Sequence, residues 1–153
     1  MATISDRFIV AGTEFVRAAS PEAMCCWLPV NADANVAIVA EPPAEPSPRS
    51  LELAACVVRE FNALVESAIS YLCTKLREAQ YGLSPEELQR LIEKPAPFAD
   101  PEATVWSDGT WMMRFADVEI KSVADEYGIG VNFAGTRPHS LEILIDAEPV
   151  TCP

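Results

Sequence analysis

Apolar residues recur every three or four positions through the middle of the chain, at Leu51, Ala55, Val58, Phe61, Val65, Ile69, Leu72, Leu76 and Ala79. That period predicts one apolar face of a long helix. Ser47 stands where an N-cap belongs, Pro48 suits the first helical position and Gly82 supplies a stop. Unbroken over 48–80 the helix would be roughly 50 Å long, more than a compact domain of this size spans. It must therefore break, or project and pair with a second copy. Ser84 and Glu87 then have capping-box spacing, predicting a short helix with Leu88, Leu91 and Ile92 as its buried stripe, ending before Pro95.

Elsewhere the period is two. Phe8-Ile9-Val10 and Thr13 to Val16, joined by Ala11-Gly12, suit a hairpin, and Val36 to Val39 reads as a buried strand after a turn-like stretch at 31–35. Ser20 to Pro29 reads either as a capped helix or, through Cys25-Cys26-Trp27-Leu28, as a strand. Beyond Pro101, a turn at Ser107-Asp108-Gly109-Thr110 is flanked by Trp106 and Trp111, its Asp-Gly pair suited to the positive φ angles of a tight hairpin. Val118 and Ile120 then alternate with Asp117, Glu119 and Lys121, and Ile129, Val131, Phe133 and Leu141, Ile143, Ile145 repeat the alternation. The expectation is an α+β fold. A C-terminal four-strand meander plus N-terminal strands forms an antiparallel sheet, packed against one long and one short helix.

Glu41 to Pro48 carries four prolines in eight residues, which imposes an extended connector between the N-terminal β segment and the helices. Neither side is long enough for an assured core of its own, so one domain over 1–153 is expected. Half of the residues are apolar and 22% are charged, which removes disorder as a reading. No apolar run nears the roughly 18 residues needed to span a bilayer and the N-terminus has no leader pattern, so a cytoplasmic protein is expected. The five cysteines, Cys25, Cys26, Cys56, Cys73 and Cys152, are odd in number, which suits free thiols in a reducing compartment.

Charge is the most pronounced bulk property, at −12 overall. Residues 1–47, 48–94 and 95–153 carry −4, −1 and −7. Such a surface repels nucleic acid and anionic membranes and favours basic partners.

Chemistry finds little purchase. The one histidine, His139, follows Arg137-Pro138 in a turn, where a solvated side chain is the ordinary case. Cys56 and Cys73 occupy helix positions that suit small core residues, and no Cys or His pair has zinc-ligand spacing. Asp108, Asp117, Glu119, Asp125 and Glu126 crowd one short segment without the alternating pattern of a calcium loop. The glycine-rich stretch Gly128 to Gly135 continues as a strand and opens no helix, so a close strand approach or a bulge fits it better than a phosphate loop. No cofactor or metal is expected, and an enzyme is the weaker class.

What remains is a protein-binding face. Trp106 and Trp111 supply aromatic anchors, and Asp108, Asp117, Glu119, Asp125 and Glu126 steer a basic protein partner. In general character, though through no motif, the chain resembles bacterial immunity proteins, which neutralise a toxin. That likeness implies an inhibitor of a toxin or other basic effector. The alternatives are an adaptor that homodimerises through helix 48–80, and a small hydrolase or ligand-binding domain using the acidic cluster.

Overall fold

The structure is a computed structural model, and it describes residues 4–20, 22–30 and 34–145. Eight strands form one mixed sheet ordered as they occur in the chain: β1 Arg7–Val10, β2 Thr13–Ala18, β3 Cys25–Pro29, β4 Val36–Ala40, β5 Phe98–Trp106, β6 Trp111–Val118, β7 Ile129–Ala134 and β8 Arg137–Ile143. Three helices, α1 Pro48–Arg59, α2 Phe61–Lys75 and α3 Pro85–Arg90, lie between β4 and β5 in sequence. The described residues divide into two compact units, one within 4–61 and 102–111, the other within 62–101 and 112–145.

In the first unit, β1 and β2 close through Ala11 and Gly12, both at positive φ, the geometry of a two-residue hairpin turn. Phe8 and Phe15 are partners in that register and stack at 5.8 Å between ring centroids. The ambiguous stretch is settled as β3, in which Cys25, Cys26 and Trp27 are all fully buried. A strand covered on both faces reads as a continuous apolar run, which is why its period was silent. The turn-like residues 31–33 lie outside the described part. β4 pairs with β5 in parallel, Val36 opposite Ala103 through Val39 opposite Trp106. The sheet is therefore mixed rather than antiparallel throughout. A parallel pair needs a long crossover, and the proline-rich connector with the three helices provides it.

The predicted 48–80 helix is broken. Ser47 caps α1, its Oγ accepting from the Ser50 amide at 3.1 Å, but the helix stops at Glu60, whose φ of −110° and ψ of 22° leave the helical region. α2 starts at the next residue, and the boundary between the two units falls immediately after Phe61. The buried positions are Ser50, Ala54, Val57, Phe61, Leu64, Ala68, Leu72 and Leu76, so the buried face is rotated from the expected one. Only Phe61, Leu72 and Leu76 are common to both. The displacement arises because Ser50, Ala54 and Ala68 are small, and Ser50 can be buried at no polar cost by donating to the Ser47 carbonyl at 2.9 Å.

In the second unit, the capping box of α3 forms as its spacing predicts, but of its expected stripe only Leu91 is buried, while Leu88 and Ile92 are exposed. Trp111, Met113 and Phe115 alternate inward along β6, after which the phase shifts and Val118 and Ile120 are buried. β7 buries Ile129, Val131 and Phe133 as expected. β8 departs from expectation: it lies at the edge of the sheet, and Ile143 and Ile145 remain about 40% exposed. Gly128, at φ 78°, passes so close to β6 that an added Cβ would sit 1.9 Å from the Phe115 carbonyl oxygen. The glycine-rich stretch thus marks a close backbone approach.

Two stability outcomes follow from these placements. In urea unfolding, Leu64→Ala should cost about 2–5 kcal/mol and Glu66→Ala within about 0.5. A larger loss at Val65 than at Leu64 would restore the originally expected face. Gly82 shares the left-handed backbone of Gly128 but faces open space. Gly82→Ala should therefore lose only about 1 kcal/mol to backbone strain. Gly128→Ala should lose at least about 2 kcal/mol more, because it adds a backbone clash; equal losses would remove the close approach as its cause.

Candidate functional site

Of the seven residues expected at a binding face, Trp106, Asp108 and Trp111 belong to the first unit and Asp117, Glu119, Asp125 and Glu126 to the second. The first group surrounds the β5–β6 turn. The Gly109 amide bonds to the Trp106 carbonyl and the Trp106 amide to Thr110, closing a three-residue loop in which Gly109 takes a φ of 87°. Asp108 is not at positive φ, so this is the bulged form of the turn rather than the two-residue form its Asp-Gly pair suggests. The Asp108 carboxylate accepts from the Thr110 hydroxyl at 2.6 Å and the Thr110 amide at 3.0 Å. Those bonds, with Arg49 nearby, hold it below the usual aspartate range. It is a turn-former first.

Trp111 is 2% exposed and is corrected from anchor to core. It is in phase with Met113 and Phe115, and that phase was present in the sequence. Trp106, on the opposite side of the turn, is half-buried.

In the second unit the strand period does place carboxylates outward. Asp117 and Glu119 are exposed while Val118 and Ile120 are buried. Glu119 pairs with Arg90 of α3, and its own amide bonds to the Pro97 carbonyl at 3.0 Å. Asp125 turns inward on its own loop, accepting from the Tyr127 amide at 2.9 Å, whereas Glu126 is exposed. Sequence reasoning missed the clamp beside them: Glu87, the capping-box residue of α3, also accepts from the Ser122 hydroxyl and from the Ser122 amide at 3.1 Å. The Ser122 hydroxyl chiefly, with the Ser84 amide, lowers the Glu87 carboxyl from its ordinary value. Arg90 and Glu87 together hold α3 against residues 119–122.

Cys56 and Cys73 are half-exposed rather than core, and burial, the largest cause, raises both above the usual thiol range, aided at Cys56 by its bond to Glu60. Cys26 is disulfide-bonded while Cys25, Cys56 and Cys73 are free, which corrects the expectation of five free thiols. Cys152 lies outside the described residues. An open cleft of about 540 Å³ in the first unit is lined by Asp6, Arg17, Ser20, Glu22, Met24 and Pro43 among others. Its Arg17 is already engaged, 4.0 Å from Asp6 and 3.3 Å from the Cys25 sulfur. His139 is exposed on β8. Among the described residues no three His, Cys, Asp or Glu side chains are grouped to hold a metal, and no helix is long and apolar enough to cross a membrane.

The Glu87 clamp has a pH signature. Its carboxyl is lowered in the folded chain, so its stabilisation is present above the ordinary value near 4.5 and is lost as pH falls through the folded value. Glu87→Gln keeps the shape and removes the charge. It should destabilise by about 0.5–1 kcal/mol at neutral pH, with melting curves that converge on the parent's in acid. A gap that persists at low pH would mean that packing, and not charge, is what the substitution removes.

No family model, curated protein or solved structure matches the chain.

Proposed function

We propose that this chain is a protein-binding domain that engages a basic protein partner, acting as an inhibitor of the immunity-protein kind that neutralises a toxin or similar effector. The observation that supports the reading is the strand end at Asp117 to Ile120, where exposed Asp117 and Glu119, the latter paired with Arg90, alternate with fully buried apolar side chains. The buried neighbours fix the backbone, so the charges are presented from a rigid element and little ordering remains to be done on binding. The net charge of −12 extends the attraction over the encounter distance of about one Debye length, 8–10 Å. Carboxylates so placed act mainly on the association rate.

The reading is tested with a basic partner captured from the source cells. Asp117→Lys with Glu126→Lys should slow association about tenfold at low salt and flatten its salt dependence, leaving the melting temperature unchanged because both side chains are exposed. Trp106→Ala should accelerate dissociation if the half-buried ring is part of the contact. An affinity indifferent to salt and to all three substitutions would leave the acidic surface as a solvated face only.

A further inference from the structure

Resting on that reading, we infer that the outward face of α3 is where the basic partner docks, with Leu88 and Ile92 as its apolar anchors. The inward side of this helix is fully occupied. Glu87 bonds to Ser122, Arg90 reaches Glu119 and the Pro95 carbonyl, and Leu91 is 3% exposed. Helical geometry then turns Leu88, Gln89 and Ile92 the other way. Past the end of α3 at Arg90, the Ile92 amide bonds to the Gln89 carbonyl at 3.2 Å, a tighter turn that sets Ile92 over Gln89 and beside Leu88. Leu88 is 37% and Ile92 55% exposed. Among the described residues the other exposed large apolar ones, Ile9, Ile143 and Ile145, lie on or beside the two edge strands.

The charges beside this pair say what would cover it. Glu86 and Glu93 are exposed on the same segment, with Lys94 the one exposed cation there, and Asp117 and Glu119 are exposed at the strand end to which Arg90 ties the helix. An apolar pair rimmed by carboxylates is matched by a protein segment that presents leucine-like side chains between lysines or arginines. A nucleic acid or an anionic membrane carries the same sign of charge as this rim, and so does a second copy at −12. The occupant is a basic amphipathic protein segment.

The test is a titration of isotope-labelled full-length chain with a synthetic helical peptide of repeating leucine and lysine, followed by amide chemical shifts. Its counterpart with glutamate in place of lysine serves as the control. The lysine peptide should bind in a salt-dependent manner with shifts concentrated on residues 85–93, and the glutamate peptide should not bind. Leu88→Ser with Ile92→Ser should weaken it about tenfold or more while melting as the parent does. Ile9→Ser, at a still more exposed apolar residue in the other unit, should leave the affinity alone. Binding whose shifts fall elsewhere, or that survives the α3 double variant, overturns the docking face and leaves the basic-partner reading standing. No binding at low salt overturns both.

Discussion

The parallel ladder between β4 and β5 is the constraint on which the rest of the chain's layout depends. Two parallel neighbours cannot be joined by a tight turn, so everything from Glu41 to Pro97 is committed to the return path. Where that path begins is fixed by a relay of hydrogen bonds at the end of the ladder. The Ser107 amide donates to the Val39 carbonyl, the Ser47 hydroxyl donates to the Ser107 carbonyl, and the same hydroxyl accepts from the Ser50 amide. One serine thus caps α1 and pins the helix start to the β5–β6 turn. Its loss would leave an uncapped helix end and an unmatched turn carbonyl together.

What could be read from the sequence was what is decided within a few residues. The Ser47-Pro48 start, the Ser84–Glu87 box and the Ala11-Gly12 turn all form, because caps and turns are satisfied by near neighbours. Long-range choices were not legible. Nothing local says that β5 will lie beside β4 rather than close a separate meander, and nothing local opposes a helix through Glu60, where neither Pro nor Gly stands. The rotated helix face shows the limit of choosing by side-chain size: Ser50 and Ala54 are buried because small residues permit close packing. The candidate site was legible in part. Period two placed Asp117 and Glu119 outward, but the anchoring role given to Trp111 ignored its phase with Met113 and Phe115, and counting that phase would have placed it in the core.

The acidic residues divide into those the fold uses and those it leaves to solvent. Asp108 and Asp125 close turns, Glu87 clamps a loop and Glu119 holds Arg90. Charges so engaged already have partners and would exchange one hydrogen bond for another on binding. Asp117, Glu126, Glu86 and Glu93 are exposed and can respond to an incoming cation at little desolvation cost. A charge count alone hides this division, and it moves the weight of the proposed binding face away from the β5–β6 turn and toward the second unit.

The same charge bears on self-association. Exposed Ile92 and Leu88 would ordinarily invite a second copy of the chain, since apolar area gains by burial whoever supplies the other half. A homodimer through this face would bring two surfaces of −12 chains together, setting Glu86 and Glu93 of each against the other, and juxtaposed like charges oppose such a contact. The helix over 48–80 on which the alternative reading placed an adaptor dimer is interrupted at Glu60. A basic partner meets neither obstacle: its cations offset the rim charge as the apolar pair is buried, so the residues that discourage self-pairing are the ones that favour a partner of opposite charge.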